Sequence, residues 1–262
     1  MNILKEIAER TEARIAERKK TLPLQELMVM AASCDATNNF AFERALRADD
    51  ISFICEVKRA SPSKGIIAAD FPYLDIAKEY ASAGAAAISV LTEPYYFKGC
   101  DQYLREIANS VSVPLLRKDF TVDEYMIYEA KLLGASAVLL ICAILDHGAL
   151  CAYIDLAHTL GLSALVEVHT EAEADMALSV GARIIGVNNR DLATFEVDVS
   201  LSTRLRKLVP PEIVFVSESG IKSAADIDTL RQHGVDSVLI GETLMRAPDK
   251  KFALGALRGD MI

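Results

Sequence analysis

No tryptophan occurs among the 262 residues, and aromatic side chains make up only 6% of the chain. With 52% apolar residues, the core must therefore be packed by Val, Ile, Leu and Ala. Cys34, Cys55, Cys100, Cys142 and Cys151 form no CxxC pair and no Cys/His ligand spacing. That excludes the usual zinc and dithiol motifs and reads as reduced, buried thiols. Positive charge is also short: 28 Lys and Arg against 37 Asp and Glu leave a net charge of −9. No broad basic face for a nucleic acid is available, although a local group of lysines can still hold a small anion. The longest apolar run, Ala135 to Leu145, falls short of the roughly 18 residues of a membrane helix. The opening Met1-Asn2-Ile3-Leu4-Lys5-Glu6 is charged where a secretion signal would be apolar. A soluble, cytoplasmic, monomeric protein with neither nucleic-acid nor membrane partner is expected.

What is present is a repeat. Short β-branched runs near 51–58, 86–91, 112–118, 136–142, 163–168, 183–188, 212–218 and 236–240 alternate with helical patterns such as Asp123 to Leu133 and Ala172 to Val180. The strand runs are continuously apolar, as parallel strands covered by helices require. Glycine stands between helix and strand at Gly84, Gly134, Gly161, Gly181 and Gly234, where a left-handed residue ends the helix. Eight such units in a chain of this length predict a single (β/α)8 TIM barrel. The open doubly wound alternative usually carries a GxGxxG turn, which is absent. No linker interrupts residues 1–262, which are expected to form one domain. Residues 1–48 differ: Ile3, Leu4, Ile7, Ala8 and Ile15 recur at helical spacing, and Pro23 opens a second stretch from Leu24 to Ala32. This N-terminal helical extension is expected to pack against the barrel, the other possibility being that it covers one mouth.

Chemistry gathers at the C-terminal ends of the strands. Glu56 and Lys58 share a face with Ile54, Lys118 with Leu116, Glu167 with Leu165, Asn188 with Gly186, and Glu218 with Val216. Charges aimed at the helix layer would each need a private partner, whereas one polar cup inside the barrel mouth satisfies them together. Arg117 is out of phase with Lys118 and is expected to make an outer salt bridge. Asp119 and Arg190 follow strand ends and are expected to orient neighbours. The loops after the seventh and eighth strands, Ser217-Glu218-Ser219-Gly220-Ile221 and Leu239-Ile240-Gly241-Glu242-Thr243, are glycine turns into helices. Barrels of this type commonly hold phosphate in those loops, which requires the Glu242 side chain to point away from the anion. Phe97 and Phe120 lie at the same rim, for a planar substrate or for packing. His147, His158, His169 and His233 show no ligand spacing and are expected at the surface or as caps.

Seven segments in order, Glu56-Val57-Lys58-Arg59-Ala60-Ser61-Pro62-Ser63, Leu91-Thr92-Glu93 with Tyr96-Phe97, Lys118-Asp119-Phe120, Leu165-Val166-Glu167-Val168, Gly186-Val187-Asn188-Asn189-Arg190-Asp191-Leu192, Ser217-Glu218-Ser219-Gly220-Ile221 and Leu239-Ile240-Gly241-Glu242, resemble the indole-3-glycerol phosphate synthase family. The resemblance implies closure of an anthranilate-bearing deoxyribulose phosphate to an indole, with loss of carbon dioxide and water, and no cofactor or metal. It implies Lys118 as the acid that protonates the ketone, Glu167 and Glu56 for later proton transfers, and Lys58 for anionic groups or a proton. Asn188 and Glu218 would orient the substrate. Ser61, Ser219, Gly220, Gly241 and Glu242 would surround it, with Phe97, Phe120 and Arg190 as further contacts. The division of work between Lys118 and Lys58 stays open. Two rivals remain beside it: a Schiff-base sugar-phosphate lyase and a non-catalytic barrel that binds a phosphorylated metabolite.

Overall fold

The computed structural model describes residues 3–34, 39–191 and 194–260. Met1, Asn2 and Leu192, which entered the sequence reading, lie outside them.

Eight parallel strands close on themselves: β1 (Ser52–Val57), β2 (Ala87–Leu91), β3 (Leu115–Lys118), β4 (Ala137–Ile141), β5 (Ser163–Val168), β6 (Ile184–Asn188), β7 (Val214–Glu218) and β8 (Ser237–Ile240). Closure comes from β1, which pairs with β2 through Cys55–Ile88 and with β8 through Cys55–Ile240. Each strand is followed by a helix, so the fold is the expected TIM barrel. The third strand begins only at Leu115, because Pro114 has no N–H to give the ladder. Alternation sorts the side chains. Ile54, Leu116, Leu139, Leu165, Ile184, Val216 and Leu239 fill the barrel interior. Cys55, Val57, Val90, Leu140, Val166, Val187 and Phe215 pack outward against the helices. Burial on both faces is why the strands read as unbroken apolar runs.

Side-chain caps start the helices Glu124–Leu132 (Asp123), His147–Thr159 (Asp146), Glu171–Ser179 (Thr170) and Ala224–Gln232 (Ser223). The five inter-element glycines all have φ between +73° and +84°, as helix ends that turn directly into strands demand. The thiols of Cys55 and Cys142 are pushed up to about 12 by burial, and all five cysteines are unpaired. No helix among the described residues is long and apolar enough to cross a membrane.

The extension consists of α1 (Ile3–Thr21), α2 (Leu24–Ser33) and α3 (Ala41–Leu46), and it does more than pack. Leu27 and Ala31 of α2 and Ile15 of α1 lie on Tyr125, Met126 and Tyr128, which is ordinary packing. Phe42 and Leu46 of α3 join the interior cluster, and α3 is bonded to the first residue of β5 through Glu43 N–H and Ser163 Oγ (3.3 Å). That helix plugs the N-terminal end of the barrel. At the other end, Ile3, Leu4 and Ile7 of α1 form part of the wall of the mouth cavity. Arg14 ties α1 to the residue after β3 by two bonds to the Asp119 carboxylate (2.9 and 3.0 Å).

Candidate active site

The C-terminal mouth of the barrel holds a cavity of about 500 Å³. Every candidate site residue read from the sequence lines it: Glu56, Lys58, Ser61, Phe97, Lys118, Phe120, Glu167, Asn188, Arg190, Glu218, Ser219, Gly220, Gly241 and Glu242.

Lys118 stands at its centre. Its Nζ donates to Glu167 Oε2 and to Glu218 Oε2, each at 2.8 Å. Asn188 Nδ2 donates to the other oxygen of Glu167 (3.3 Å). Lys58 Nζ is bonded to Glu56 across the same mouth. Two glycines make room for these groups. A Cβ on Gly186 would meet Glu218 Oε1 at 2.3 Å, and one on Gly241 would meet Glu56 Oε2 at 2.2 Å and Lys58 Nζ at 2.7 Å.

The electrostatics separate the two carboxylates that share Lys118. Burial opposes charge on Lys118, but Glu167, Glu218 and Glu56 outweigh it and raise the ammonium above its ordinary value. Burial also opposes charge on Glu167. Lys118, His169 and the bond from Asn188 overcome it and hold this carboxyl below its ordinary value. On Glu218 burial wins: Lys118 offsets it only in part, Glu167 and Glu56 reinforce it, and the group rises to about 7. Glu218 Oε1 is buried without a hydrogen-bond partner. The mouth therefore presents a charged lysine, an ionised carboxylate and a carboxyl poised near neutrality, a set that can deliver and accept protons at one pH.

Around this centre the walls differ in character. On one side Phe97 and Phe120 face each other with ring centroids 6.1 Å apart, beside Ile7, Leu139 and Ile141. The loop carrying Phe97 is held by Glu93, a fully buried carboxylate that accepts the N–H groups of Tyr95, Tyr96 and Phe97 at 2.7–2.9 Å. On the other side lie the turns of Ser219-Gly220 and Gly241-Glu242. Ser219 and Gly220 both have positive φ (+68° and +85°). Lys64, Lys222 and Arg246 line this side with Arg190. Glu242 directs its carboxylate to Arg246 Nε (3.1 Å) and towards Lys64 Nζ (3.8 Å). The segment after β1 folds as a small antiparallel hairpin, Ala60–Ser61 with Gly65–Ile66, and brings Ser61 and Lys64 over the cavity.

Some expectations change. Arg117 does face the helix layer, but it is buried, bonded to Glu129 (2.6 Å) and Asp101 (2.9 Å). Asp119 is buried and accepts from Arg14, Thr92 Oγ1 (2.8 Å) and the Phe120 N–H (2.9 Å). It anchors α1 as well as orienting its neighbours. His169 is neither a surface residue nor a cap: its Nε2 lies 3.6 Å from Glu167 Oε1. The two-residue step from Glu167 to His169, the same parity that linked Glu56 to Lys58, was the available signal for it. Lys222, Arg246 and the start of α1 were also missed as site residues. Lys222 lies two positions after Gly220, within reach of the same turn, whereas nothing local marks the surface on which α1 sits.

A family model described as indole-3-glycerol phosphate synthase matches residues 4–257. The chain is 55% identical over 257 residues to an indole-3-glycerol phosphate synthase of Ruminiclostridium cellulolyticum, covering 98% of this chain and 99% of that protein. It is 49% identical to one of Lachnoclostridium phytofermentans, covering 98% of each. Among solved structures, a 3-hexulose-6-phosphate synthase superposes with a TM-score of 0.62 at 15% identity, over 81% of this chain and all of that one, which is a likeness of fold.

Proposed function

The chain belongs to the indole-3-glycerol phosphate synthase family, and from that premise we propose that the barrel mouth closes 1-(2-carboxyphenylamino)-1-deoxyribulose 5-phosphate to indole-3-glycerol phosphate. This makes it a decarboxylating carbon–carbon lyase of tryptophan biosynthesis, acting on a phosphorylated small molecule. In the reaction the ring carbon that bears the carboxylate bonds to the ketone carbon, whose oxygen takes up a proton. Carbon dioxide leaves with its bonding electrons returned to the ring. The new hydroxyl then departs as water while a proton is lost from the carbon next to nitrogen.

The observation that carries the assignment is Lys118, largely buried and donating at 2.8 Å to both Glu167 and Glu218. An ammonium fixed there supplies both the proton and the positive charge that the developing oxyanion needs. Glu167, kept ionised, and Glu56 take the later proton transfers, and Lys58 holds the substrate carboxylate or gives a proton. Asn188 and Glu218 orient the hydroxyls, Glu218 with an oxygen free to accept one. Phe97 and Phe120 hold the aromatic ring. Ser219, Gly220, Gly241 and Glu242 receive the phosphate, with Arg190 beside them and Ser61 on the covering hairpin. A Schiff-base lyase needs its lysine as the free amine, whereas the carboxylates around Lys118 keep it protonated. We place residues 1–262 in one domain with 1–48 as its extension, working as a cytoplasmic monomer.

The test is turnover. Purified protein should form an indole-absorbing product from this substrate without added metal, and folded protein that forms none would falsify the assignment. Lys118→Ala should lower kcat at least about 100-fold with substrate still bound. Nearly unchanged turnover would transfer the acid role to Lys58.

A further inference from the structure

Among the described residues, His169 is a titratable group beside the reacting carboxylate Glu167 that the proposed steps do not use. It follows β5 and precedes the helix Glu171–Ser179, and it does not reach the cavity wall. Both ring nitrogens are buried and neither makes a hydrogen bond. Each faces a carboxylate: Nε2 lies 3.6 Å from Glu167 Oε1, and Nδ1 lies 3.5 Å from Glu173 Oε2. Glu173 is itself held in place, accepting the His169 backbone N–H (2.7 Å). A neutral imidazole has one N–H and one lone pair. Between two carboxylates, either tautomer would turn its lone pair towards an acceptor. Only the doubly protonated ring offers a donor to both sides.

We propose that His169 is a positioning residue of the active site, an imidazolium held between Glu173 and Glu167 whose charge keeps Glu167 in its carboxylate form. This deepens the reading of Glu167 as a proton acceptor and rests on it. The groups that face the ring agree in sign. Burial opposes the charge on the ring, but Glu173 from the following helix, Glu167 from β5 and Glu218 from β7 outweigh it and leave the imidazole above its ordinary value. Lys118 from β3 is the opposing cation and is itself bonded to Glu167 and Glu218. Cys142, whose thiol contacts the Glu173 carbonyl at 3.8 Å, stays a neutral thiol because burial raises it. Lys118 thus holds Glu167 from the cavity side and His169 from behind, with different oxygens for each.

Two measurements on the full-length protein test this. In a proton NMR titration, the His169 resonance is assigned by its loss in His169→Gln. It should titrate above an ordinary histidine, and Glu167→Gln and Glu173→Gln should each bring it down by about one pH unit, the effect of losing one close opposite charge. In the pH profile of kcat/KM, His169→Gln should move the acid limb upward by about one unit, because coupling between two sites is reciprocal, while the plateau stays within a few-fold of the original. A His169 that titrates at or below the ordinary value, or ignores Glu167→Gln, overturns the proposal. So does a uniform fall in kcat/KM with an unmoved acid limb, which is what a merely structural histidine gives. Turnover that survives Glu167→Gln would instead overturn the role of Glu167, and the titration keeps that failure separate.

Discussion

Glu218→Gln should remove a pH dependence from the stability of the whole protein. The Glu218 carboxyl rises from 4.5 to about 7 on folding, chiefly through burial, because Lys118 cannot compensate it and Glu167 at once. Between those values the folded protein binds the proton and the unfolded chain has released it. Unfolding stability therefore falls as pH rises through this window. Below pH 4.5 both states are protonated and nothing is lost; above pH 7 the loss is complete, at about 3 kcal/mol. Glutamine keeps an acceptor for Lys118 Nζ but cannot ionise, so the slope should vanish. The direct assay is proton release on urea unfolding in weakly buffered solution. At pH 6 the original protein should release about 0.9 proton more than Glu218→Gln, and the difference should disappear at pH 3.5 and pH 9. Urea stability compared at pH 5 and pH 8 should show the same ordering, with the variant gaining ground at pH 8. Equal proton release from both proteins at pH 6 would refute the reasoning, since Glu218 would then already be ionised in the fold.

Other predictions follow from particular contacts. Gly241→Ala puts a methyl group where Glu56 and Lys58 meet. Because it displaces the pair into an open cavity and not into the core, kcat/KM should fall about 100-fold, as for a catalytic group misplaced by 1 Å, with little change in thermal midpoint. Arg14→Ala leaves the buried Asp119 carboxylate without its bidentate partner. It should destabilise the fold by about 3 kcal/mol and raise KM as α1 loosens over the mouth, which denaturation and steady-state kinetics would register separately.

The barrel was legible because its signals are local. Unbroken apolar runs and helix-ending glycines each depend on a few neighbouring residues, and eight repetitions leave little choice of architecture. The polar cup was legible for the same reason: period-two alternation decides the face of Glu56, Lys118, Glu167, Asn188 and Glu218, and a charge turned towards the helices needs partners of its own there. Arg117 shows the rule from the opposite side. Its parity sends it outward, and there it is buried among Asp101, Glu129 and Asp119.

Other features depend on distances between segments far apart in the chain. Whether α1 packs anywhere or walls the cavity depends on Arg14 finding Asp119, 105 positions away. That Glu167 stays ionised while Glu218 rises depends on both reaching one lysine 49 and 100 positions away, with His169 behind only the first. Sequence by itself determined which strand-end residues stand at the mouth, because strand alternation and helix capping are short-range rules. Only the closed barrel decided their protonation states, because charge–charge energy depends on separations that ring closure sets and on the burial that follows from it.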